Sequence, residues 1–540
     1  MDKVYDIDII TSDYLIENID MAYNQWQNLS WNKNLSFGDF CEYLLPYRLG
    51  NEPLENWRTV YYKKYGQILD SIYSGADIIE AANQLSLYVD KSEDIVHYHH
   101  STFIDVEPLF FLNNKSGNCI DLTNATIYAL RSVGIPAVRH FYISAPDDYN
   151  IGHSWTAIRD TTGAHIAFNN IGLSIERGAQ DIKKKGKVYQ LCYECQDKGE
   201  YDNRYVASFF MDPLLKDVTA AYSGRNKLEI NFFSSKNPYI YLGVLPPPKT
   251  IPIAVTKAKD GKAVFADVEP GLVYQLLQYN NGMLVPAGYP VSIDSMGSIH
   301  TFTPNLSDMQ NLTIYRKWFL PKWLYTSINS IVNSTLEGSA NRNFSDITFS
   351  YQLQDSILYD IEKIFSIGGK TVQYIRYTSS DSSIIDIAEV YVYAIGNSIP
   401  IRNMEISGAN PVPHPKKRII FENLIDGDIL TYYISADSAA TITFDLLKPI
   451  PLDRIELLPR TDDNFIRIGD VYELFYHGGE EGWKSLGQQQ AKNLYLKYTN
   501  IPSNALLWLR NHTRGEEEQV FYIKNGVQVF AGKENIVYGK

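Results

Sequence analysis

The spacing of apolar residues divides the chain into a helical part followed by strand-rich parts. Between Asp70 and Val89 apolar residues recur at roughly helical spacing, and the chain up to about residue 215 is predicted to be mostly helical with some strand. From Asn226 onward, short alternating runs lie between turns that contain Gly, Pro and Asp, a pattern typical of antiparallel strands. The pattern therefore predicts an α+β N-terminal domain followed by all-β domains.

The length and the changes of pattern together predict four domains. A chain of 540 residues is too long to fold around one hydrophobic core, since a single core stops growing beyond roughly 250–300 residues. We expect an α+β domain over 1–220, a β-sandwich over 221–310, and two further β units over 311–398 and 399–540. Strands spaced by roughly 8–12 residues, with Gly and Asp turns between them, are typical of jelly-roll sandwiches.

The composition is that of a globular protein and excludes several other classes. Hydrophobic residues make up 45% and charged residues 21%, which excludes disordered, collagen-like and coiled-coil chains. The net charge of −13 does not favour nucleic acid as a partner. The basic cluster of Lys183–Lys185 and Lys187 lies in a Gly-flanked turn, and we expect it to be a solvated loop.

The sequence carries no sign of membrane insertion. It begins without a basic segment followed by an apolar one, so no signal peptide is visible in the chain as given. It has no run of about 18 apolar residues, so no transmembrane segment is expected.

The strongest candidate for a catalytic residue is a cysteine at the start of a predicted helix. A turn at Gly117–Asn118 precedes a helix that begins at Cys119, and Gly134 and Pro136 mark its end. The unpaired N–H groups and the positive dipole end of a helix favour a thiolate over a thiol. The same N–H groups can hold a developing oxyanion.

A base and an orienting residue follow in the chain. His153 opens an apolar strand, and Asn169 lies on the next strand, after the turn at Thr161–Gly163. A nucleophilic cysteine needs a base, and the base is usually held through its other ring nitrogen by a third group. Taken singly, a cysteine is more often a small core residue and a histidine more often structural. The order Cys119, His153, Asn169 favours a catalytic interpretation of all three.

These residues resemble the transglutaminase-like cysteine family. The resemblance depends on GNC at Gly117–Cys119, GIPA at Gly134–Ala137, HSW at His153–Trp155 and FN at Phe168–Asn169. It implies a papain-like catalytic domain with a Cys-His-Asn triad and no cofactor. The family more often has Asp at the third position; Asn169 can orient a histidine but adds no negative charge.

The C-terminal part resembles discoidin-like, galactose-binding-like jelly rolls, on the segments Tyr374–Tyr393, Leu424–Tyr433 and Ile442–Arg460. The resemblance implies carbohydrate binding, for which the candidates are Arg460, His477 and Trp483. It also implies a structural calcium ion, for which Asp426, Asp428 and Thr431 supply oxygen atoms in a tight turn. The alternative for this turn is that it binds nothing.

Two other groups are expected to be structural. Cys192 and Cys195 form a C-x-x-C without a second pair for zinc, and the histidines of His97–His100 lack further ligands at zinc spacing.

The sequence leaves three functions open. The first is a thiol-dependent amide hydrolase or acyltransferase that acts on a peptide, glycoprotein or polysaccharide substrate. The second is a catalytically inactive surface protein that binds carbohydrate or protein. The third is a protein cross-linking transglutaminase. By family resemblance we expect an extracytoplasmic location, either periplasmic or at the cell surface.

Overall fold

A computed structural model describes residues 4–92, 95–97, 106–146, 152–169, 172–178, 183–232, 237–246, 249–354, 362–414, 417–515 and 517–533. The chain divides into two compact units. The first runs to Thr303 and also includes His477–Trp483. The second comprises Pro304–Tyr476 and the chain from Lys484 onward.

Helices dominate the start of the first unit. They are α1 (Asp6–Ile9), α2 (Ser12–Asn28), α3 (Phe37–Asp39), α4 (Trp57–Ile72), α5 (Ile78–Ser92), α6 (Phe110–Asn114), α7 (Cys119–Ser132), α8 (Ser208–Met211) and α9 (Ala220–Ser223). A 3₁₀ turn lies at Ser30–Asn32 and a π turn at Phe40–Leu44. Helix α7 is buried almost throughout and packs against α4, whose Trp57 and Tyr61 rings lie on Tyr128.

The helical spacing between Asp70 and Val89 belongs to two helices, not to one. Helix α4 ends at Ile72, and the Asp77 carboxylate accepts the N–H groups of Ile79 and Glu80 at 2.8 and 3.1 Å. Asp77 therefore caps the start of α5.

The first unit also holds an antiparallel sheet beside α7. In chain order, the first seven strands are β1 (Val96–His97), β2 (Ser116–Gly117), β3 (Ala137–Tyr142), β4 (His153–Arg159), β5 (His165–Phe168), β6 (Tyr189–Leu191) and β7 (Leu215–Asp217). The sheet runs in the order β5-β4-β3-β6-β7, and α7 packs on β3 and β4. β1 and β2 form a separate parallel pair directly before α7.

The rest of the first unit is β structure. Its strands are β8 (Lys227–Asn231), β9 (Tyr239–Val244), β10 (Ile251–Lys257), β11 (Lys262–Ala266), β12 (Leu272–Asn280), β13 (Met283–Pro286), β14 (Val291–Ile293) and β15 (Ile299–Thr301). They pair antiparallel in the order β10-β9-β12-β14-β15, with β13 on β12 and a separate β11-β8 pair. Leu242, Leu272 and Tyr274 belong to the apolar core of this part.

Beyond Thr303 the described chain is almost entirely antiparallel β structure. The elements are β16 (Asn305–Ile314), α10 (Lys322–Asn329), β17 (Thr335–Ser339), β18 (Ile347–Gln352), β19 (Lys363–Ser366), β20 (Thr371–Thr378), β21 (Ile384–Ala394), β22 (Glu405–Gly408), β23 (Tyr433–Ser438), β24 (Thr441–Pro459), β25 (Val471–His477), β26 (Trp483–Gln490), β27 (Leu496–Ser503), β28 (Leu507–Asn511), β29 (Phe521–Lys524) and β30 (Val527–Phe530). The largest sheet runs β18-β17-β20-β24-β21-β23, with β19 and β22 also on β24.

The long strand β24 connects the two C-terminal parts of the sequence. It pairs with β20 along Thr441–Pro451 and with β21 along Leu452–Pro459. The boundary expected near residue 398 therefore lies inside this sheet. The coarse prediction of a helical N-terminal region followed by antiparallel β structure is confirmed, and the jelly-roll assignment stays a prediction.

The basic cluster is not a solvated loop as expected. Lys185 and Lys187 are only 5% and 3% exposed. The Lys187 ammonium donates to the carbonyl oxygens of Ala266 and Asp267 at 2.8 and 3.1 Å and forms an ion pair with Asp217. A buried ammonium is tolerated because acceptors surround it, and sequence spacing does not reveal such acceptors. Among the residues that the structure describes, no helix combines the length and apolar character needed to cross a membrane.

Candidate active site

The start of α7 is held by a capping box around Cys119. The Asn118 side-chain oxygen accepts the N–H groups of Ile120 and Asp121 at 2.8 and 3.1 Å. In return, the Asp121 carboxylate accepts the Asn118 N–H at 3.0 Å. This reciprocal arrangement satisfies the first orphan donors of the helix and fixes its first residue, Cys119.

Gly117 is required by close packing at the same place. A Cβ atom at residue 117 would lie 2.5 Å from Asp121 Cβ, which is below any normal contact. The glycine of the GNC motif therefore makes room for the carboxylate that closes the capping box.

Cys119 is half-buried at this helix start, so its thiol is not sealed in the core. The Ile120 and Asp121 amides are used by Asn118. The Cys119 N–H is the helix-terminal amide that this cap does not use, so it can donate to the oxyanion that forms when the sulfur adds to a carbonyl carbon.

His153 and Asn169 lie on neighbouring strands and contact each other. His153 is the first residue of β4, and Asn169 directly follows β5, its antiparallel neighbour. The paired register ends at Thr156 opposite Phe168, so continued alternation places Asn169 on the His153 face. His153 Nε2 lies 3.4 Å from Asn169 Oδ1, a long contact for a hydrogen bond.

A hydrogen bond to the amide oxygen requires that Nε2 of His153 carries the proton, since an amide oxygen only accepts. In that tautomer Nδ1 carries the lone pair. Since α7 packs against β4, the helix that begins at Cys119 and the strand that begins at His153 are neighbours. The arrangement has the parts of a thiol site: a cysteine at a helix start, an imidazole with a basic nitrogen, and an amide that fixes the ring.

The ring of Trp155 lies beside His153 on the same strand face. The two ring centroids are 6.0 Å apart with planes inclined by 27°, an offset stack. The Trp155 indole N–H donates to the Tyr222 hydroxyl at 2.8 Å, and that hydroxyl lies 2.6 Å from His140 Nδ1. The sequence did not point to His140 or Tyr222. The alternation of β3, which puts His140 opposite Trp155, is the signal that could have found His140.

The carbohydrate candidates lie in two places. His477 is buried, which lowers its pKa to about 4, and its ring meets that of Trp483 edge to face with centroids 4.9 Å apart. The Arg460 guanidinium lies 4.8 Å from the Trp323 ring and 3.9 Å from the Tyr432 ring. Binding at any of these residues stays a prediction.

The proposed calcium ligands share one turn. Asp426 accepts the Asp428 N–H and the Thr431 hydroxyl, each at 2.8 Å, and Asp428 accepts the Leu430 N–H at 3.0 Å. The oxygen atoms thus serve the turn itself, as in other Asx turns. Within the described ranges, no three His, Cys, Asp or Glu side chains converge as a metal site requires. The C-x-x-C residues are unlinked, with Cys192 buried and Cys195 exposed. Of the histidine cluster at 97–100, residues 98–100 lie outside the described residues.

Comparison with known proteins adds one finding. The family model described as the transglutaminase-like superfamily matches residues 67–169. No curated protein matches the chain. The chain thus contains a transglutaminase-like region over residues 67–169, and this region includes Cys119, His153 and Asn169.

Proposed function

We propose that the protein is a thiol-dependent amide hydrolase or acyltransferase with Cys119 as nucleophile, His153 as base and acid, and Asn169 as the residue that orients His153. The observation that carries the proposal is the contact of His153 Nε2 with Asn169 Oδ1 inside the transglutaminase-like match. It leaves the basic nitrogen of the imidazole on the side opposite the amide.

The reaction proceeds by acyl transfer through a thioester. His153 Nδ1 takes the thiol proton, and the sulfur attacks the carbonyl carbon of an amide. When the C–N bond breaks, the imidazolium gives this proton to the leaving amine. Water or a second amine then attacks the thioester, His153 takes its proton, and the thiol of Cys119 is restored. No cofactor enters either step.

The identity of the second nucleophile separates hydrolysis from cross-linking. Both reactions share the Cys119 thioester and differ only in whether water or an amine resolves it. The substrate in this proposal is an amide of a peptide or glycoprotein. Release of ammonia or amine without incorporation of an added primary amine supports hydrolysis, and incorporation of the amine supports transamidation.

Carbohydrate or surface binding is the proposed role of the β-rich second unit. Support comes from Arg460, whose guanidinium contacts the rings of Trp323 and Tyr432, and from Trp323, which is 49% exposed. An exposed indole beside a guanidinium offers an apolar face and donors for a sugar ring. Loss of polysaccharide binding in Trp323→Ala, with unchanged thermal unfolding, tests this role.

Selective alkylation tests the thiol site, and the chain supplies its own reference thiol. Cys195 is free and exposed, whereas Cys119 is half-buried. If His153 and the helix start activate Cys119, iodoacetamide near pH 7 labels Cys119 faster than Cys195 despite its lower exposure. Cys119→Ala then abolishes the fast phase, and Cys195→Ala leaves it unchanged. Labelling of Cys195 with an inert Cys119 would instead indicate a scaffold without activity.

A further inference from the structure

A tyrosine far from the triad in sequence is connected to His153 through one indole ring. Tyr222 belongs to α9, and its hydroxyl oxygen accepts the Trp155 N–H at 2.8 Å. An indole nitrogen only donates, so the hydroxyl proton of Tyr222 is directed to its other neighbour, His140 Nδ1, at 2.6 Å.

His140 is suited to accept that proton because it stays neutral. Its side chain is fully buried, and burial, followed by the charge of His165, lowers the pKa of His140 from the ordinary 6.5 to about 3. His140 Nε2 lies 3.2 Å from Gln190 Oε1, so Nε2 carries the proton and Nδ1 accepts from Tyr222. The directions of the three hydrogen bonds are therefore mutually consistent, from the indole to Tyr222, from Tyr222 to His140, and from His140 to Gln190.

The indole fixed in this way is the one that stacks on His153. Trp155 is 4% exposed, and its ring cannot rotate about the Cβ–Cγ bond without breaking the bond to Tyr222. The Lys185 ammonium lies 6.0 Å from the Trp155 ring and 5.7 Å from the Tyr222 ring, so both rings also face a buried cation. The rings of Trp155 and His153 are inclined by only 27°.

The contact between Asn169 and His153 is long, and aromatic rings also lie beside the imidazole. The Nε2–Oδ1 distance is 3.4 Å, and Asn169 is neutral and exposed. The rings of Tyr142 and Trp155 both lie beside the imidazole, with centroid distances of 6.1 and 6.0 Å, and Trp155 is the one that is bonded to Tyr222. A fixed aromatic surface beside the imidazole restricts rotation of the His153 ring.

We propose that Tyr222 is a positioning residue of the thiol site, whose hydroxyl, held between His140 and Trp155, fixes the indole on which the imidazole of His153 rests. The inference depends on the proposed function, since it assigns a task in orienting the base of that site. It predicts that loss of one hydroxyl oxygen in α9 changes the reactivity of Cys119 through Trp155 and His153.

The test compares two tyrosine-to-phenylalanine changes in the full chain. Tyr222→Phe keeps the ring and removes the hydroxyl. Tyr189→Phe is the control: Tyr189 is buried, whereas Tyr222 is half-buried, and the Tyr189 hydroxyl donates to the Ile253 carbonyl at 2.6 Å. We expect the rate of Cys119 alkylation near pH 7 to fall about ten- to a hundredfold in Tyr222→Phe, with the pH midpoint of alkylation displaced upward. Tyr189→Phe should keep the wild-type midpoint at a similar loss of thermal stability.

A double-mutant cycle checks the route through the indole. Trp155→Phe removes the same hydrogen bond from the other side. If Tyr222 acts through Trp155, the double variant loses no more alkylation rate than the stronger single variant. Additive losses would overturn the route, as would a wild-type pH profile in Tyr222→Phe.

A measurement that needs no activity separates this inference from the proposed function. The NMR titration of the His153 ring, identified by difference with His153→Gln, reports its environment directly. A changed titration in Tyr222→Phe together with an inert wild-type Cys119 would keep the positioning role and remove the proposed function. An unchanged titration would overturn the positioning role whether or not Cys119 reacts.

Discussion

At the residue scale, the neutrality of Asn169 determines how the site responds to pH. An Asn fixes the tautomer of His153 but, unlike an Asp, does not stabilise the imidazolium that forms when the thiol loses its proton.

Asn169→Asp is therefore expected to shift the acid limb of the pH–activity profile to higher pH. The added carboxylate favours the protonated imidazole, so the basic form of His153 is reached only at higher pH. The measurement is the alkylation rate of Cys119, or the turnover, between pH 5 and about 8. Asn169→Ala serves as the comparison and should lower the rate without that shift. An identical profile in an active Asn169→Asp protein would mean that another residue holds the imidazole.

We expect Cys119→Ala and His153→Ala to lose activity to a similar extent. Without the sulfur no thioester forms, and without the imidazole the leaving amine is not protonated. Both should abolish turnover, whereas the free energy of unfolding should change by less than about 1 kcal/mol in Cys119→Ala because the side chain is small and half-buried. Denaturant unfolding monitored by circular dichroism checks the second part. A residual turnover in Cys119→Ala above about 10% would point to another nucleophile.

At the element scale, α7 is fixed at both ends by buried polar groups. Its start is closed by the capping box, and its last turn is held by Arg58 from α4. The Arg58 guanidinium donates to the Arg131 carbonyl and the Leu44 carbonyl, each at 3.0 Å, and to Asn18 Oδ1 at 2.8 Å. Burial, followed by the charge of Arg131, lowers the pKa of Arg58 to about 9. A cation at the C-terminus of a helix also suits its dipole.

Gly117→Ala should weaken the helix start that presents the thiol. The new Cβ would lie 2.5 Å from Asp121 Cβ, so the carboxylate must leave the Asn118 amide. We expect a loss of about 1 kcal/mol in stability and slower alkylation of Cys119. Gly38→Ala is the control, because its nearest foreign atom is Ser36 Oγ at 3.9 Å. Equal behaviour of the two variants would contradict the packing role of Gly117.

Arg58→Met should destabilise the first unit by about 2–4 kcal/mol, since it leaves several buried acceptors without a donor. The free energy of unfolding in urea measures the loss. Arg204→Met, which removes a side chain that is 74% exposed and paired with Asp202, should change it by less than about 0.5 kcal/mol. An Arg58→Met protein as stable as the wild type would show that the bonds to Arg131 and Leu44 contribute little.

At the scale of the whole molecule, the two units are expected to respond to pH in opposite directions. In the first, burial lowers the pKa of His140 to about 3 and that of His165 to about 4, from the ordinary 6.5. The unfolded chain then binds more protons than the folded unit below about pH 6.5, so the first unit loses stability as the pH falls.

The second unit contains a group whose shifted pKa has the opposite effect on stability. Burial raises the pKa of Glu389 from the ordinary 4.5 to about 7, although the hydrogen bond from Arg402 opposes this shift. The folded unit then binds more protons than the unfolded chain between these values, so its stability falls as the pH rises from about 4.5 to 7.

Calorimetry between pH 5 and about 7 should therefore show two transitions. As the pH falls, the transition of the first unit should move to lower temperature and that of the second unit to higher temperature. Glu389→Gln is the control for the second unit. In this variant the transition temperature of the second unit should no longer rise toward acid pH. Two transitions that move in the same direction would contradict the assignment of Glu389 or of the two histidines.

The sequence by itself was sufficient for the local features of the site. The Gly117–Asn118 turn, Gly134 and Pro136 predict a helix that begins at Cys119, and α7 does begin there. The strand at His153 is confirmed likewise. Caps, turns and alternation are decided by residues a few positions apart, so their physics can be read directly from neighbouring letters.

Only the tertiary structure decided which distant residues meet. Tyr222 lies 67 residues from Trp155 and 82 from His140, yet its hydroxyl contacts both. Lys185 and Lys187 are buried although their cluster has the composition of a solvated loop. In the second unit, β24 pairs with strands on the other side of residue 398. Burial, strand partners and buried hydrogen bonds depend on how remote segments pack, and that free energy is distributed over contacts that no local pattern records.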